Sequence, residues 1–270
     1  MAALRVVSWN IRAAIGPGPF PDRWWTRIDA DRVRAIGAFL SALDADLIAL
    51  QEVALVSRNG DLVDNPGDLA RQLGMQVRYA AVRTFSVTDD DAVTGAGCFG
   101  NALLSTRPLT GVRVVALPRA ASDAFVEPPG ADHPAAGIRY ADAPETIREA
   151  RCALLGSLGE LRVGTAHFSH VGSGERLLQA EAAAAAFGDA SPAVFLGDLN
   201  ATIDSAELSA FASWTDGFGM PADDDGRIST DDGYRIDQLL ARGASVSECR
   251  VLRESGDLSD HHPVVATLSL

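Results

Sequence analysis

The chain has 270 residues, is 47% hydrophobic, carries a formal net charge of −13 and contains no lysine, all 23 of its basic residues being arginine. A surface of that sign repels polyanions and shows no legible basic face, which argues against a protein that holds long nucleic acid by neutralising many phosphates; local arginines can still grip one phosphate group. No apolar run approaches the roughly 18 residues of a membrane span, so no membrane insertion is expected.

Leu4 to Asn10 reads as an apolar strand ending on a carboxamide, with none of the long apolar stretch of a secretory signal. Ile15 to Pro21 is a Gly- and Pro-rich loop, followed by Trp24-Trp25, which either cover the core or wall a substrate pocket. Val33, Ile36, Phe39, Leu40 and Leu43 recur at helical spacing, with Asp29 or Asp31 placed to cap. Asp46 to Val53 is a second apolar run ending on polar groups, and strand, helix, strand is the signature of an α/β sandwich.

Asn65-Pro66 opens a short helix that stops at Gly74, with Asn65 as its expected cap. Gln76 to Val82 reads as a strand, and Asp89-Asp90-Asp91 as a solvated acidic loop that could also hold a cation. Gly100 to Ser105 is a strand, with Val112 to Leu117 as its expected partner. Pro118 to Arg148 loses all periodicity, and a loop that long is expected to act as a specificity loop or lid. Cys152 to Ser157 and Leu161 to His167 form a hairpin about Leu158-Gly159, and a helix follows from about Glu175 to Phe187.

Ala193 to Asn200 is a short apolar run that delivers Asp198 and Asn200 at its end. Side chains at i and i+2 of a strand point the same way, so the two polar groups project together; an Asx turn is the plain alternative. Asp204 is expected to cap a short helix through Phe211, Ser213 to Asp232 reads as loop, and Arg235 to Leu240 and Val246 to Leu252 as strands. With no repeat, linker or tail, residues 1–270 are expected to form one domain. Cys98, Cys152 and Cys249 lack metal-ligand spacing and read as reduced, buried thiols of a cytoplasmic protein, with export of a processed form left open.

Polar residues thus stand at strand ends or edges throughout: Asn10, Glu52, Asn101, His167, Asp198, Asn200, Asp237, Asp260 and His261. Each singly can be a cap or a satisfied core group, but together they deliver oxygen ligands and imidazoles where turn residues are usual. The segments Ser8-Trp9-Asn10, Leu50-Gln51-Glu52-Val53, Gly100 to Ser105, Thr165-Ala166-His167, Gly197 to Asn200, Arg235-Ile236-Asp237 and Ser259 to Val264 resemble, in order, those of the endonuclease/exonuclease/phosphatase superfamily of DNase I-like metallophosphoesterases. The resemblance implies a four-layer α/β sandwich of two mixed sheets packed face to face with helices outside. It implies Glu52 as the main ligand of Mg²⁺ or Mn²⁺, beside Asn10 and Asp260. It places Asp198 and Asn200 on the attacking water and the phosphate, His167 on a phosphate oxygen, Asp237 behind His261, and Asn101 on the substrate side.

The residue types suit that chemistry. Mg²⁺ takes oxygen ligands from one or two carboxylates, a carboxylate can deprotonate water, and an imidazolium can hold the oxygens of the transition state. His170 contacts either substrate or only its own loop, His262 reads as structural, and Arg139, Arg148 and Arg151 either grip a second anionic group or are ordinary surface arginines. The expected function is a Mg²⁺-dependent phosphoesterase acting on a small or lipid-derived phosphate ester. A DNA or RNA nuclease and a non-catalytic binding module on the same fold are the alternatives, and no protein partner is indicated.

Overall fold

Alternation along the first strand sets the layering. In β1 (Ala3–Asn10), Leu4 and Val6 enter one apolar cluster and Val7 and Trp9 another, so both faces are covered and the strand lies inside the molecule. The structure, a computed structural model, describes residues 3–18, 22–89, 92–119, 149–219 and 227–270. β1 pairs in parallel with β2 (Leu47–Arg58) and antiparallel with β13 (Val264–Ser269). With β3 (Asp61–Asp64), β4 (Gln76–Asp89), β5 (Ala92–Ser105) and β12 (Ser245–Val251) they form a seven-stranded sheet in the order β12-β13-β1-β2-β5-β4, β3 pairing with β2.

A second sheet has six strands, β6 (Thr110–Ala116), β7 (Cys152–Leu158), β8 (Leu161–His167), β9 (Ala193–Asp198), β10 (Thr215–Asp216) and β11 (Asp237–Arg242), in the order β10-β11-β9-β8-β7-β6. The sheets meet face to face through Leu4, Val6, Leu47 and Leu103 on one side and Leu154, Val163, Val194 and Leu196 on the other. Helices α1 (Ala30–Ser41) and α2 (Asn65–Leu73) cover the outer face of the first sheet, through Val33, Ile36, Leu40 and Leu69. Helix α3 (Ser173–Phe187) covers the second through Ala180, Ala183 and Phe187. The result is the expected α/β/β/α sandwich. Each parallel pair, β1–β2 and β8–β9, is joined through a helix, as parallel strands require.

Capping explains the helix starts. Asp29 Oδ1 accepts from the Asp31 amide at 2.8 Å, which settles the choice between the two acids. At α2 the cap is Asp64, whose Oδ1 accepts from the Gly67 amide at 2.9 Å. Asn65, the expected cap, is instead buried inside the first turn and donates through Nδ2 to the Ala13 carbonyl at 2.9 Å, tying the helix to the chain that leaves β1.

Several boundaries differ from expectation. β2 does not stop at Val53 but runs to Arg58, and β4 runs to Asp89, because β3 and β5 continue the pairing beyond the apolar run. β6 pairs with β7 in the second sheet and not with β5. The segment before Phe211 is a 3-10 helix, Ala206–Phe211, with no side-chain cap, so Asp204 does not cap it. Asp89 binds Arg23 at 2.6 Å and Arg58 at 2.5 Å, a surface ion cluster and not a solvated loop; Asp90 and Asp91 lie outside the described residues. Most of the expected lid lies outside them too, at 120–148, as does 220–226. The three cysteines are free, but only Cys152 is fully buried, Cys98 and Cys249 being half-buried. Burial pushes the Cys152 thiol up to about 11 and the Cys249 thiol up to about 12. Among the described residues no helix is long and apolar enough to cross a membrane.

Candidate active site

Glu52 reaches the site because β2 is irregular at that point. Leu47 and Ala49 face the second sheet and Ile48 and Leu50 face the helices, so strict alternation would send residue 52 toward the helices. The pairing of β2 with β5 shifts register between Leu50 and Val53, and Glu52 takes φ of 52°. This bulge re-aims the carboxylate, and Val53 then returns to the helix-facing cluster. Gln51, buried beside it, donates through Nε2 to Thr165 Oγ1 on β8 at 2.9 Å, a polar strut between the sheets.

The amide of Asn10, at the end of β1, joins two carboxylates from different sheets. Its Nδ2 donates to Glu52 Oε1 at 3.0 Å and to Asp198 Oδ2 at 3.1 Å. Asp198 closes β9 and His167 closes β8, and these strands pair in parallel with the two residues directly opposite. His167 Nε2 lies 3.4 Å from Asp198 Oδ2 and its Nδ1 lies 3.7 Å from Glu52 Oε1. His261 approaches from the other side, its Nε2 3.7 Å from Asp198 Oδ2.

His261 is held from behind. Its Nδ1 meets Asp237 Oδ2 at 2.8 Å, and the same oxygen accepts from Ser229 Oγ at 2.6 Å. Its backbone carbonyl accepts from Trp9 Nε1 at 2.8 Å. Burial disfavours the imidazolium, but the Asp237 and Asp198 carboxylates outweigh burial and hold the ring well above its ordinary value. His167 is the reverse, pushed well below its ordinary value by burial and then by the charges of Arg151, His170 and His261. Burial also raises Asp198, to about 7, against the lowering by His261. Glu52 is raised by burial, with Asn10 opposing and Asp260 adding to the rise. One imidazole is therefore charged and its neighbour neutral, with two reluctant carboxylates between them.

These groups lie along a cleft of about 670 Å³. Glu52, His167, Asp198, Asn200 and His261 are on its wall, together with Trp24, Trp25, Phe99 and His170 and the ion-pairing side chains of Arg12, Arg83, Glu149 and Arg151. Both tryptophans of the pair face the cleft, and Trp25 stacks on Phe85 with centroids 5.5 Å apart.

The model of the endonuclease/exonuclease/phosphatase family matches residues 7–261. The chain belongs to that family. No curated protein matches it in sequence. The fold is similar to that of an endonuclease/exonuclease/phosphatase from Beutenbergia cavernae, 22% identical, with a TM-score of 0.71 over 99% of this chain and 72% of that one. It is similar to the human Nocturnin catalytic domain, solved with a sulfate anion, at 17% identity and TM-score 0.65, covering 99% of this chain and 93% of that one. It is also similar to a mannosyl-6-phosphatase from Bacteroides thetaiotaomicron, at 18% identity and TM-score 0.62, covering 99% of this chain and all of that one. Members of the endonuclease/exonuclease/phosphatase family are hydrolases of phosphate esters, and this chain is a metal-dependent hydrolase of that kind.

The donor set fits a family metal. Glu52 and Asp198 are both raised by burial and share one amide, and a cation is what would let both ionise. A separate trio, Asp198, Asp237 and His261, brings its ligand atoms within 4.8 Å of one another. There, however, Asp237 already occupies His261 Nδ1 and accepts from Ser229, so the trio is built as a hydrogen-bonded relay and not as an open cage. Glu52, whose side chain is 17% exposed at the cleft wall, has room for a ligand.

Of the residues singled out from the sequence, Asn10, Glu52, His167, Asp198, Asp237 and His261 come together in this one cluster. Asp260 is at its edge, its Oδ2 3.0 Å from Arg12 Nε. Asn200 takes φ of 48°, donates through its backbone to Asp198 Oδ1 at 3.1 Å and through Nδ2 to the Phe168 carbonyl at 3.1 Å. His170 and Arg151 line the cleft, with Arg151 buried at 5% exposure and not an ordinary surface arginine. Asn101 is not among the residues lining the cleft: it is buried and its Nδ2 donates to the Cys152 carbonyl at 3.1 Å, pinning β5 to β7 across the sandwich next to Arg151. His262 is buried between Ser255 at 3.0 Å and Asp231 at 3.1 Å, away from the cleft. Arg139 and Arg148 lie outside the described residues. Arg12, Arg83, Glu149 and Ser229 went unnoticed in the sequence. Ser229 sits in a stretch that reads as loop, and Arg83 and Glu149 carry no local pattern.

Proposed function

We propose that the protein is a Mg²⁺-dependent phosphoesterase that hydrolyses a small or lipid-derived phosphate ester by attack of water. The observation that carries this reading is the placement of Asp198, with His167 at 3.4 Å, His261 at 3.7 Å and the Asn10 amide at 3.1 Å, on a cleft of about 670 Å³. Asp198, raised to about 7, is poised to take a proton from water near neutral pH. His261, kept as an imidazolium by Asp237, donates to a phosphoryl oxygen as negative charge builds there. His167, kept neutral, offers one N–H to another oxygen, and Asn200 borders the same space.

Glu52, with Asn10 and Asp260, would hold the ion, which supplies Lewis-acid polarisation of the phosphoryl oxygen when bound. Mg²⁺ is preferred because the donors are oxygens and no thiolate is near. A small substrate is preferred because the cleft volume is that of small-molecule sites, about 300–1,000 Å³. The net charge of −13 supports the same choice over a long polyanion.

The test is hydrolysis of chromogenic phosphate mono- and diesters with Mg²⁺ and with a chelator. Turnover that needs Mg²⁺, and calorimetric Mg²⁺ binding that weakens in Glu52→Gln while the melting temperature holds, is the expected result. Turnover unaffected by chelator, or Mg²⁺ binding in Glu52→Gln equal to wild type, overturns the assignment.

A further inference from the structure

One arm of the cleft is not used by the reaction described above. Arg83 on β4 pairs through NH1 with Glu149 Oε1, and Arg151 NH1 lies 3.8 Å from Glu149 Oε2. One carboxylate thus serves two guanidinium groups, and the second is beyond hydrogen-bond distance. All three side chains line the cleft. Arg151 is 5% exposed, yet among the described residues its guanidinium makes one hydrogen bond, the 3.4 Å contact of NH2 with His170 Nδ1. Among the described residues its Nε has no partner, and neither has the Nε of Arg83. A guanidinium carries five N–H donors, so the buried Arg151 is far from satisfied, and buried charges are costly unless paired; Arg83, with its side chain 31% exposed, keeps donors open toward the cleft.

The two arginines are also held in place for use. Arg83 stands with its Cζ 5.8 Å from the centroid of Phe85, which fixes its direction. Arg151 lies near enough to the reaction centre for its charge to lower His167 and Glu52. The order along the cleft is therefore reaction centre, Arg151, Glu149, Arg83.

We infer that Arg83 and Arg151 form a subsite for a second anionic group on the substrate, a phosphate or a carboxylate, and that Glu149 is a built-in stand-in which that group displaces. The inference rests on the phosphoesterase reading and narrows its substrate to compact esters with two anionic ends. A carboxylate held between two guanidiniums shows that the subsite accepts a planar, bidentate anion, and phosphate oxygens satisfy the same fork. Glu149 also sets selectivity: a singly anionic ester leaves the Glu149 pairing in place and gains nothing from either arginine.

Binding to the metal-free protein tests this without requiring turnover. Inorganic phosphate and acetate are titrated calorimetrically into wild type, Glu149→Gln and Arg83→Met, with thermal melts as a check that each variant is folded. Without a cation, Glu52 and Asp198 disfavour anions at the reaction centre, so binding reports the arginine subsite. Glu149→Gln is expected to bind about tenfold tighter than wild type, and Arg83→Met about tenfold weaker, the scale of one charge-assisted pair. Binding of phosphate alone assigns the second group as a phosphate, and binding of acetate as well admits a carboxylate. Equal affinities in all three proteins, or weaker binding in Glu149→Gln, overturn the inference. The result stands even where no ester is hydrolysed, in which case the phosphoesterase reading fails and the anion subsite does not. Where esters are hydrolysed, kcat/KM for 4-carboxyphenyl phosphate over phenyl phosphate should exceed one in wild type and drop toward one in Arg83→Met.

Discussion

Asp198 is the residue on which most of the site converges, and its chemistry is set by where β9 leaves it. Buried between His167 and His261, its carboxyl is raised to about 7. Asp198→Asn removes the proposed proton acceptor but keeps the shape, and His261→Ala removes the cation opposite it. Each should lower kcat by about two orders of magnitude or more, the usual scale for a general base or a transition-state donor. Near-wild-type turnover in either variant would mean the roles are wrongly distributed. The same burial makes a statement about stability. Asp198 folded has a higher pKa than the 3.8 of its unfolded form, so the native state keeps a proton that the unfolded chain has lost. Stability of the metal-free protein from this group is therefore greatest at acid pH and falls as pH rises to about 7. His261, also raised, adds loss in the same direction above its ordinary 6.5. Urea midpoints measured from pH 5 to pH 8 in chelator should decline more steeply for wild type than for Asp198→Asn. Parallel lines for the two would show that Asp198 ionises freely in the folded protein.

Strand pairing, one level up, fixes the distances. Gly197 on β9 faces Ala166 on β8, and a Cβ at Gly197 would come within 2.1 Å of the Ala166 carbonyl oxygen. Gly197→Ala should push apart the two strands that end on Asp198 and His167. An overpacking cost of about 1–3 kcal/mol is expected, read from denaturant unfolding, together with a loss of kcat larger than that loss of stability explains. Unchanged stability would show that the strands can part without cost. The elements also show what the sequence made legible. Apolar runs such as Ala193–Asp198 and Leu161–His167, and the capped periodicity of α1, are local signals, and they located the strands that carry Asp198 and His167. The polar residue ending each run pointed to the cluster. What could not be read is set by distant partners. β2 and β4 are lengthened by β3 and β5, β6 chose β7, and the bulge that turns Glu52 inward leaves no mark in Leu-Gln-Glu-Val. Asn101 looked like its neighbours in pattern, but its Nδ2 donates to the Cys152 carbonyl across the sandwich, a partner the sequence could not name. Arg83 and Glu149 are 66 residues apart and carry no signal until the fold joins them.

For the whole molecule, charge is the governing quantity. With a net charge of −13 and no lysine, the protein should contact few phosphates outside its cleft. Binding that neutralises several phosphates falls with salt at a slope of about −0.9 per contact on duplex DNA. Turnover of the true substrate should therefore vary little between about 0.05 M and about 0.2 M salt. Efficient cleavage of oligonucleotides that collapses over that range would replace the small-substrate reading with a nuclease. The division of the site between sheets has a further consequence. Asn10, Glu52 and Asp260 belong to the first sheet and its continuation, while His167, Asp198 and Asp237 belong to the second, and Asn10 bonds across the gap at 3.1 Å. Neither half can work as a fragment, and the enzyme reports on its own assembly: loss of activity in urea should coincide with loss of the near-ultraviolet signal of the buried tryptophans. The catalytic rate is in that sense a ruler laid between the two sheets, and it should fail when their spacing does.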